Sequence, residues 1–424
     1  MIAHSNAERR PWQQILLNRR MLVCVFQGFS SGMPLYVLVQ LIPAWLRTEG
    51  VNLATIGLFA IVTLPYTWKF LWAPFLDRFS LPFLGRRRGW ALASQCLLLV
   101  CITQFGAFNP NENLTAVIWL VFLTSLFSAT QDIVLDAYRR EILADDELGT
   151  GNSIFINAYR VSSLVPGSLG FVLADVLPWA TVFWLVGTFM ILGIITTLLI
   201  PESSDDRIAP RTVREAIVEP FIEFFHRDGT KSALLILCFM FFYKLGDNMA
   251  VALQTPFFID LGFTLTEIGV IAKFVILGST IAGALLGGIL MLRLSINRAL
   301  WIFGFIQIIS IFGYVALAKI GNNLYVLIAA ASVEYIGVGL GTVALTAFMA
   351  KQTSRRFTAT QFALLTSLMA VPRTFANATT GFIVESLGYF NFFLLCALFA
   401  VPGMLLLLAV APWSESSHSI KTNR

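Results

Sequence analysis

Charged side chains are scarce in this sequence: 12% of its 424 residues are Asp, Glu, Lys or Arg, against 57% hydrophobic. Soluble globular domains carry about 25% charged residues, so a globule of this size could not be covered with solvated groups. The shortfall excludes an ordinary soluble domain and selects a polytopic membrane protein. Histidine is rarer still. His4, His226 and His418 lie in polar stretches, away from any nucleophile or metal-type cluster. That weighs against hydrolytic and metal-dependent enzymes, so no catalytic residue, metal site or cofactor is expected. The five cysteines (Cys24, Cys96, Cys101, Cys238, Cys396) are scattered through apolar segments with neither metal spacing nor a disulfide framework. They read as small hydrophobes. No cleavable leader is expected, because the first apolar stretch is too long for one.

What is abundant is apolar sequence in long runs. A spanning helix needs about 20 mostly apolar residues. Twelve segments meet that length: 21–46, 53–76, 89–107, 114–138, 151–174, 179–200, 231–259, 266–291, 297–319, 323–350, 358–385 and 389–412. The expected fold class is an all-α polytopic membrane protein with twelve transmembrane helices. Between a polar tail (1–20) and a second one (413–424), a single long polar stretch, 201–230, divides the chain into six-helix halves at 21–200 and 231–412. Within that linker, "TVREAIVEPFIEFF" spaces Val213, Ile217, Phe221 and Phe224 as one apolar face, which predicts a short helix lying on the membrane surface. Outside the spans, almost every Lys and Arg falls on the side of the two termini, and the other side has only Arg47 and Lys319. The positive-inside rule then predicts cytoplasmic termini.

The halves also resemble each other. "GVNLATIG" (50–57) and "GFTLTEIG" (262–269) share four identities at an offset of 212; Arg160 matches Arg373 at 213, and "GFVLAD" (170–175) matches "GFIVE" (381–385) at 211. A near-constant offset predicts a duplicated six-helix unit. Two such parallel repeats resemble the 6+6 pseudo-two-fold bundle of the major facilitator superfamily, which implies a substrate site between the halves near the bilayer midplane.

Against this background, the charges well inside the spans stand out: Lys69, Arg160, Lys244, Lys273 and Arg373, with Asp132, Asp247 and Glu334. Each costs roughly 2.5–3.5 kcal/mol at a helix centre, on the order of 20 kcal/mol for the set if it faced lipid. These residues must face an aqueous cavity or pair with one another. The spacing of Lys244 and Asp247 allows a pair on one helix face. Five cations against three acids leave a positive excess, suited to an anionic substrate. Arg160 and Arg373, one per half, are the clearest carboxylate clamps, since Arg binds carboxylates bidentately. Lys69, Lys244 and Lys273 would add contacts. A desolvated carboxyl is protonated more readily, so Asp132, Asp247 and Glu334 are candidates for carrying a coupled proton. Glu334, with no charged neighbour within a helical turn, should take it most easily, and Asp247 beside Lys244 least easily. Tyr66, Trp68, Tyr159 and Tyr243 each adjoin or closely precede a buried cation and are weaker candidates for stacking on a sugar ring. Paired small residues (Gly28 and Gly32, Gly283 and Gly287, Gly337 and Gly341) mark close helix approaches.

The loop "DRFSLPFLGRRRGW" (77–90) resembles the superfamily's signature of an acidic–basic pair followed by Gly and clustered Arg, with "FSLPFL" inserted between Asp77–Arg78 and Gly85–Arg86–Arg87–Arg88. That variant is similar to the one in AmpG-type muropeptide permeases. "GFSSGMPL" (28–35), "KFLWAPFLDRF" (69–79), "SATQDIVLDAYRREIL" (128–143), "YKLGD" (243–247), "GGILMLRLSINRALWIFG" (287–304) and "TATQFALLTSL" (358–368) agree with the same family over nearly all twelve spans. Some members continue into further hydrophobic segments, so a shorter branch is expected here. The resemblance implies a monomeric, proton-driven symporter of the bacterial inner membrane. Its substrate would be an anionic glycopeptide, N-acetylglucosaminyl-1,6-anhydro-N-acetylmuramyl peptide, and its only other partners protons and lipid, with no nucleic acid. It also implies roles in peptidoglycan recycling and β-lactamase induction. Residues in matching stretches are Lys69, Asp77, Arg78, Gln131, Asp132, Asp136, Lys244 and Asp247. Gln131 would join the substrate contacts. Asp136 is expected to pair with Arg78 or Arg86–Arg88 as a cytoplasmic latch. The rival reading is a facilitator-type transporter of another organic anion, such as a siderophore or acyl-CoA.

Overall fold

A computed structural model describes residues 18–81, 84–143, 147–202, 222, 225–226, 229–291, 293–352 and 358–413. The surface helix expected over 212–225 lies outside the described residues, apart from Ile222 and Phe225. The described secondary structure is helical except for one bridge between Leu81 and Gly85.

The principal helices are α1 (Arg19–Thr48), α2 (Leu53–Trp68), α3 (Arg86–Ala107), α4 (Leu114–Ile142), α5 (Leu148–Ser162), α6 (Trp179–Leu199), α7 (Thr230–Asp260), α8 (Glu267–Met291), α9 (Ile296–Ile320), α10 (Leu324–Gln352) and α11 (Thr358–Val410). Among the described residues, nine stretches are long and apolar enough to cross a membrane. The other expected spans are accounted for locally. The segment 53–76 is broken after Trp68 by a 3₁₀ turn at Lys69–Leu71. The segment 151–174 is broken by a π turn at Val165–Leu169 containing Pro166. The last two expected spans meet inside α11 at Gly388, whose φ of 74° and ψ of 164° are open to glycine at little cost and turn the chain out of the helix.

Two compact units result. One comprises Met1–Ile42 and Lys69–Arg207, the other Pro43–Trp68 and Ile208–Arg424. In the first, α1 packs on α5 and α3 packs on α4 and α6. The α1–α5 approach depends on absent side chains: a Cβ at Gly28 would run into the Phe155 carbonyl and one at Gly32 into the Tyr159 carbonyl.

In the second unit, α7 packs on α11, and α10 packs on α8 and α9. The Pro43–Trp68 segment joins this unit through its polar ends. Asn52 caps α2 by accepting from the Thr55 N–H at 2.8 Å, and Glu385 of α11 accepts from the Ala54 N–H at 2.9 Å. A carboxylate at a helix N-terminus is favoured by the helix dipole. Arg47 is ion-paired to Asp260, which also accepts from the Tyr389 hydroxyl at 2.7 Å. The apolar core of this unit gathers Phe239, Met240, Tyr243, Phe303, Phe348 and Leu407.

Candidate functional site

Two buried charge centres emerge, one per unit. In the first unit, Asp132 sits on the inner face of α4, where it accepts a hydrogen bond from the Ser31 hydroxyl of α1. Lys69, at the 3₁₀ turn after α2, brings Nζ to 3.9 Å from Asp132 Oδ2, with its side chain 34% exposed. The neighbouring Gln131 is fully buried and donates to Ser30 Oγ at 3.2 Å. Gln131 therefore braces α4 against α1. Gln27, one turn before Ser31, is buried with both amide atoms unpartnered among the described residues. The α1–α4 seam is thus a polar strip of Gln27, Ser30, Ser31, Gln131 and Asp132. Elsewhere in this unit, Arg160 ends α5 half-buried, within electrostatic range of the Tyr36 phenol. The adjacent Tyr159 sets its ring edge against Tyr36 at 5.8 Å between centroids.

In the second unit, Lys244 and Asp247 pair as their spacing predicts, with Nζ 2.6 Å from Oδ2 and side chains only 11% and 6% exposed. Lys244 also donates to Gln307 Oε1 of α9 at 3.4 Å. Space for that amide exists because Gly341 has no side chain: a Cβ there would collide with Gln307 Nε2. Glu334 of α10 is fully buried and accepts from the Ser310 hydroxyl at 2.7 Å. Packing also brings its carboxyl within electrostatic range of Asp247 and Lys244. Along α10 itself Glu334 has no charged neighbour within a helical turn. Its neighbours Asp247 and Lys244 come from another helix, which spacing along α10 cannot reveal. A cavity of about 410 Å³ opens beside this cluster, lined by Lys244, Asp247, Asn248, Tyr335, Thr342 and Thr346 among others.

Other expected residues fall elsewhere. Tyr243 points into the apolar core: its hydroxyl donates to the Leu300 carbonyl at 2.9 Å and its ring packs on Phe239. Lys273 is buried at the start of the regular part of α8, just after the π turn at Glu267–Ala272. Trp68 is 45% exposed at the end of α2, and Tyr66 is half-buried on the preceding turn. The side chains of Asp77, Arg78 and Arg373 lie outside the described residues.

Among the described side chains, the loop arginines meet acids other than Asp136, and the expected Asp136–Arg78 pairing lies outside them. Asp136 accepts from Arg139 on its own helix at 2.9 Å. Glu141 instead takes Arg87 at 2.8 Å and Arg86 at 3.7 Å. Glu202 accepts from the backbone N–H groups of Arg87 and Arg88 at 2.8 and 3.1 Å, capping the N-terminus of α3. The Arg88 guanidinium donates to the carbonyls of Thr197 and Leu198. The local Asp136–Arg139 pair forms readily because an i, i+3 partner needs no second helix to be in place.

Comparison with known proteins places this geometry. The family model of the Major Facilitator Superfamily matches residues 24–377. An uncharacterized protein of Haemophilus influenzae is 45% identical over 95% of this chain and 97% of its own length. The anhydromuropeptide permease of Escherichia coli K12 is 42% identical over 93% of this chain and 80% of its own. A putative transporter, AmpG 4, of Rickettsia conorii is 29% identical over 93% of this chain and 97% of its own. Among solved structures, the nucleoside transporter NupG matches with a TM-score of 0.72 at 12% identity, covering 94% of this chain and all of that one. The D-xylose-proton symporter matches with a TM-score of 0.70 at 12% identity, covering 93% and 98%. At these identities the structures speak for the fold alone. The chain is a multi-pass membrane protein of the major facilitator superfamily and belongs to its AmpG-type permease family.

Proposed function

We propose that this protein is a proton-coupled importer of anhydromuropeptides, working by alternating exposure of its charged sites to the two membrane faces. The observation that carries this reading is the 42% identity to the anhydromuropeptide permease across 93% of the chain. The charge pattern agrees with it. A muropeptide's peptide arm carries carboxylates, and five cations against three acids lie well inside the spans. Arg160 and Arg373 bind substrate carboxylates, with Lys69, Lys244 and Lys273 as further contacts. Tyr66, Trp68 and Tyr159 face the sugar. Asp132, Asp247 and Glu334 serve proton transfer. The protein sits in the inner membrane with both termini cytoplasmic, where the loop arginines concentrate, and it supplies peptidoglycan recycling and the signal for β-lactamase induction.

Uptake of a labelled anhydromuropeptide into proteoliposomes tests this. Accumulation should follow an imposed proton gradient and collapse with an ionophore. Arg160→Ala and Arg373→Ala should each weaken uptake of a peptide-bearing substrate more than of its peptide-free disaccharide. Accumulation indifferent to the gradient refutes the coupling, and equal loss for both substrates refutes the carboxylate clamp.

A further inference from the structure

The 410 Å³ cavity of the second unit is built almost wholly by α7 and α10. Its charged lining is one pair, Lys244 and Asp247, closed on itself at 2.6 Å with both side chains almost fully enclosed. An anion entering here would meet a cation already neutralised, and would bring an unbalanced charge into a desolvated wall, which is costly. Among the described residues, the cavity is therefore unsuited to a carboxylate and suited to an uncharged ligand.

The remaining polar groups are neutral and available. Asn248 lies one turn beyond Lys244 on α7, and among the described residues its amide has no hydrogen-bond partner. Across the cavity, Thr342 and Thr346 stand one turn apart on α10, both exposed. The Thr342 hydroxyl donates to the Val338 carbonyl at 2.6 Å, which leaves its oxygen free to accept. The Thr346 hydroxyl has no partner among the described residues. Lys244 has three donors, and Asp247 and Gln307 take two of them, so one remains for a hydroxyl. Between these groups the wall is apolar, with Phe241, Val338 and Leu345.

An apolar wall set with a few neutral donors and acceptors fits a sugar ring, which has a C–H face and a rim of hydroxyls. A primary amide adds a narrower match. It can donate to the carbonyl of an acetamido group and accept from its N–H. Small-ligand sites span about 300–1,000 Å³, so a cavity of this size takes part of a glycopeptide and leaves the peptide arm outside.

We propose that this cavity is a subsite for an N-acetylated sugar ring, with Asn248 on the acetamido group, Thr342 and Thr346 on ring hydroxyls, and Phe241 against the C–H face. That the sugar belongs to a transported glycopeptide rests on the reading proposed above; the preference of the cavity for an uncharged N-acetyl sugar does not.

Calorimetric titration of the purified full-length protein tests this without transport, using N,N′-diacetylchitobiose, cellobiose and a free acidic tripeptide as probes. The wild type should bind diacetylchitobiose about tenfold more tightly than cellobiose, since the amide match adds two hydrogen bonds. Asn248→Leu keeps the bulk and should erase that preference. Thr346→Val should weaken both sugars by about two- to tenfold and leave the preference in place. Neither variant should change binding of the tripeptide. A wild type without the preference overturns the proposal, as does a preference that survives Asn248→Leu or a tripeptide weakened alongside the sugars. Should Asn248→Leu fail to fold, Thr346→Val decides alone, and unchanged sugar affinity there overturns the proposal. Uptake of labelled anhydromuropeptide separates the site from the function it serves. The sugar preference, with its loss in Asn248→Leu, but no wild-type uptake sinks the transport reading and keeps the subsite. Wild-type uptake with the same KM in both variants does the reverse.

Discussion

The charge centres of the two units use the same ingredients differently. Asp132 is in direct contact with one lysine, at 3.9 Å with a third of its side chain exposed, and one serine hydroxyl. Around Asp247 there are two acids, one lysine at 2.6 Å almost wholly enclosed, and a serine with a glutamine to hold them. The first centre is loosely joined, so solvent can screen its lysine. The second is tight and, among the described side chains, one positive charge short. What separates them is burial and the tightness of the ion pair.

The largest expected effect comes from removing each lysine. Lys244→Ala leaves two enclosed acids uncompensated and should cost about 3–5 kcal/mol. Lys69→Ala removes a long, part-exposed contact and should cost about 1 kcal/mol or less. Thermal unfolding in detergent measures both, and equal losses would erase the distinction. Next, Lys244→Ala combined with Asp247→Asn should recover stability relative to Lys244→Ala alone, with a coupling of about 0.5–3 kcal/mol; additive losses would mean that the pair is not a unit. Smaller again, Ser31→Ala and Ser310→Ala each take one hydroxyl from a buried acid, for about 1–3 kcal/mol. Ser310→Ala should lie at the upper end because Glu334 is the more enclosed acid. The smallest belongs to Asp136→Asn, where a half-exposed pair within one helix is worth about 0.3–0.5 kcal/mol. A loss of several kcal/mol there would restore Asp136 as the latch acid.

The sequence carries much of this fold on its surface. Hydropathy locates the long helices, and small-residue spacing finds the α1–α5 approach at Gly28 and Gly32. Spacing also finds the Lys244–Asp247 pair, because both residues lie on one helix. It cannot find the meeting of Asp247 with Glu334, which are 87 positions apart and brought together only by packing. Gln307, Ser310, Ser30 and Ser31 escape a search for charges because they are uncharged, although a polar residue recurring on one face of an apolar helix is itself a signal. Tyr243 is misleading in sequence because adjacency to Lys244 places it on a different face of α7. The grouping of Pro43–Trp68 with the second unit is also hidden, since Glu385 and Ala54 are linked only across space.

Helix α8 has a consequence of another kind. Its most apolar window is only 11% buried, and Leu285 and Ile289 are among its widely exposed side chains, while Gly283 on the same helix meets the Ile336 carbonyl. Saturation mutagenesis of this helix should therefore divide into two strips. The outward strip would accept almost any lipid-compatible residue, whereas the Gly283 strip would reject even alanine.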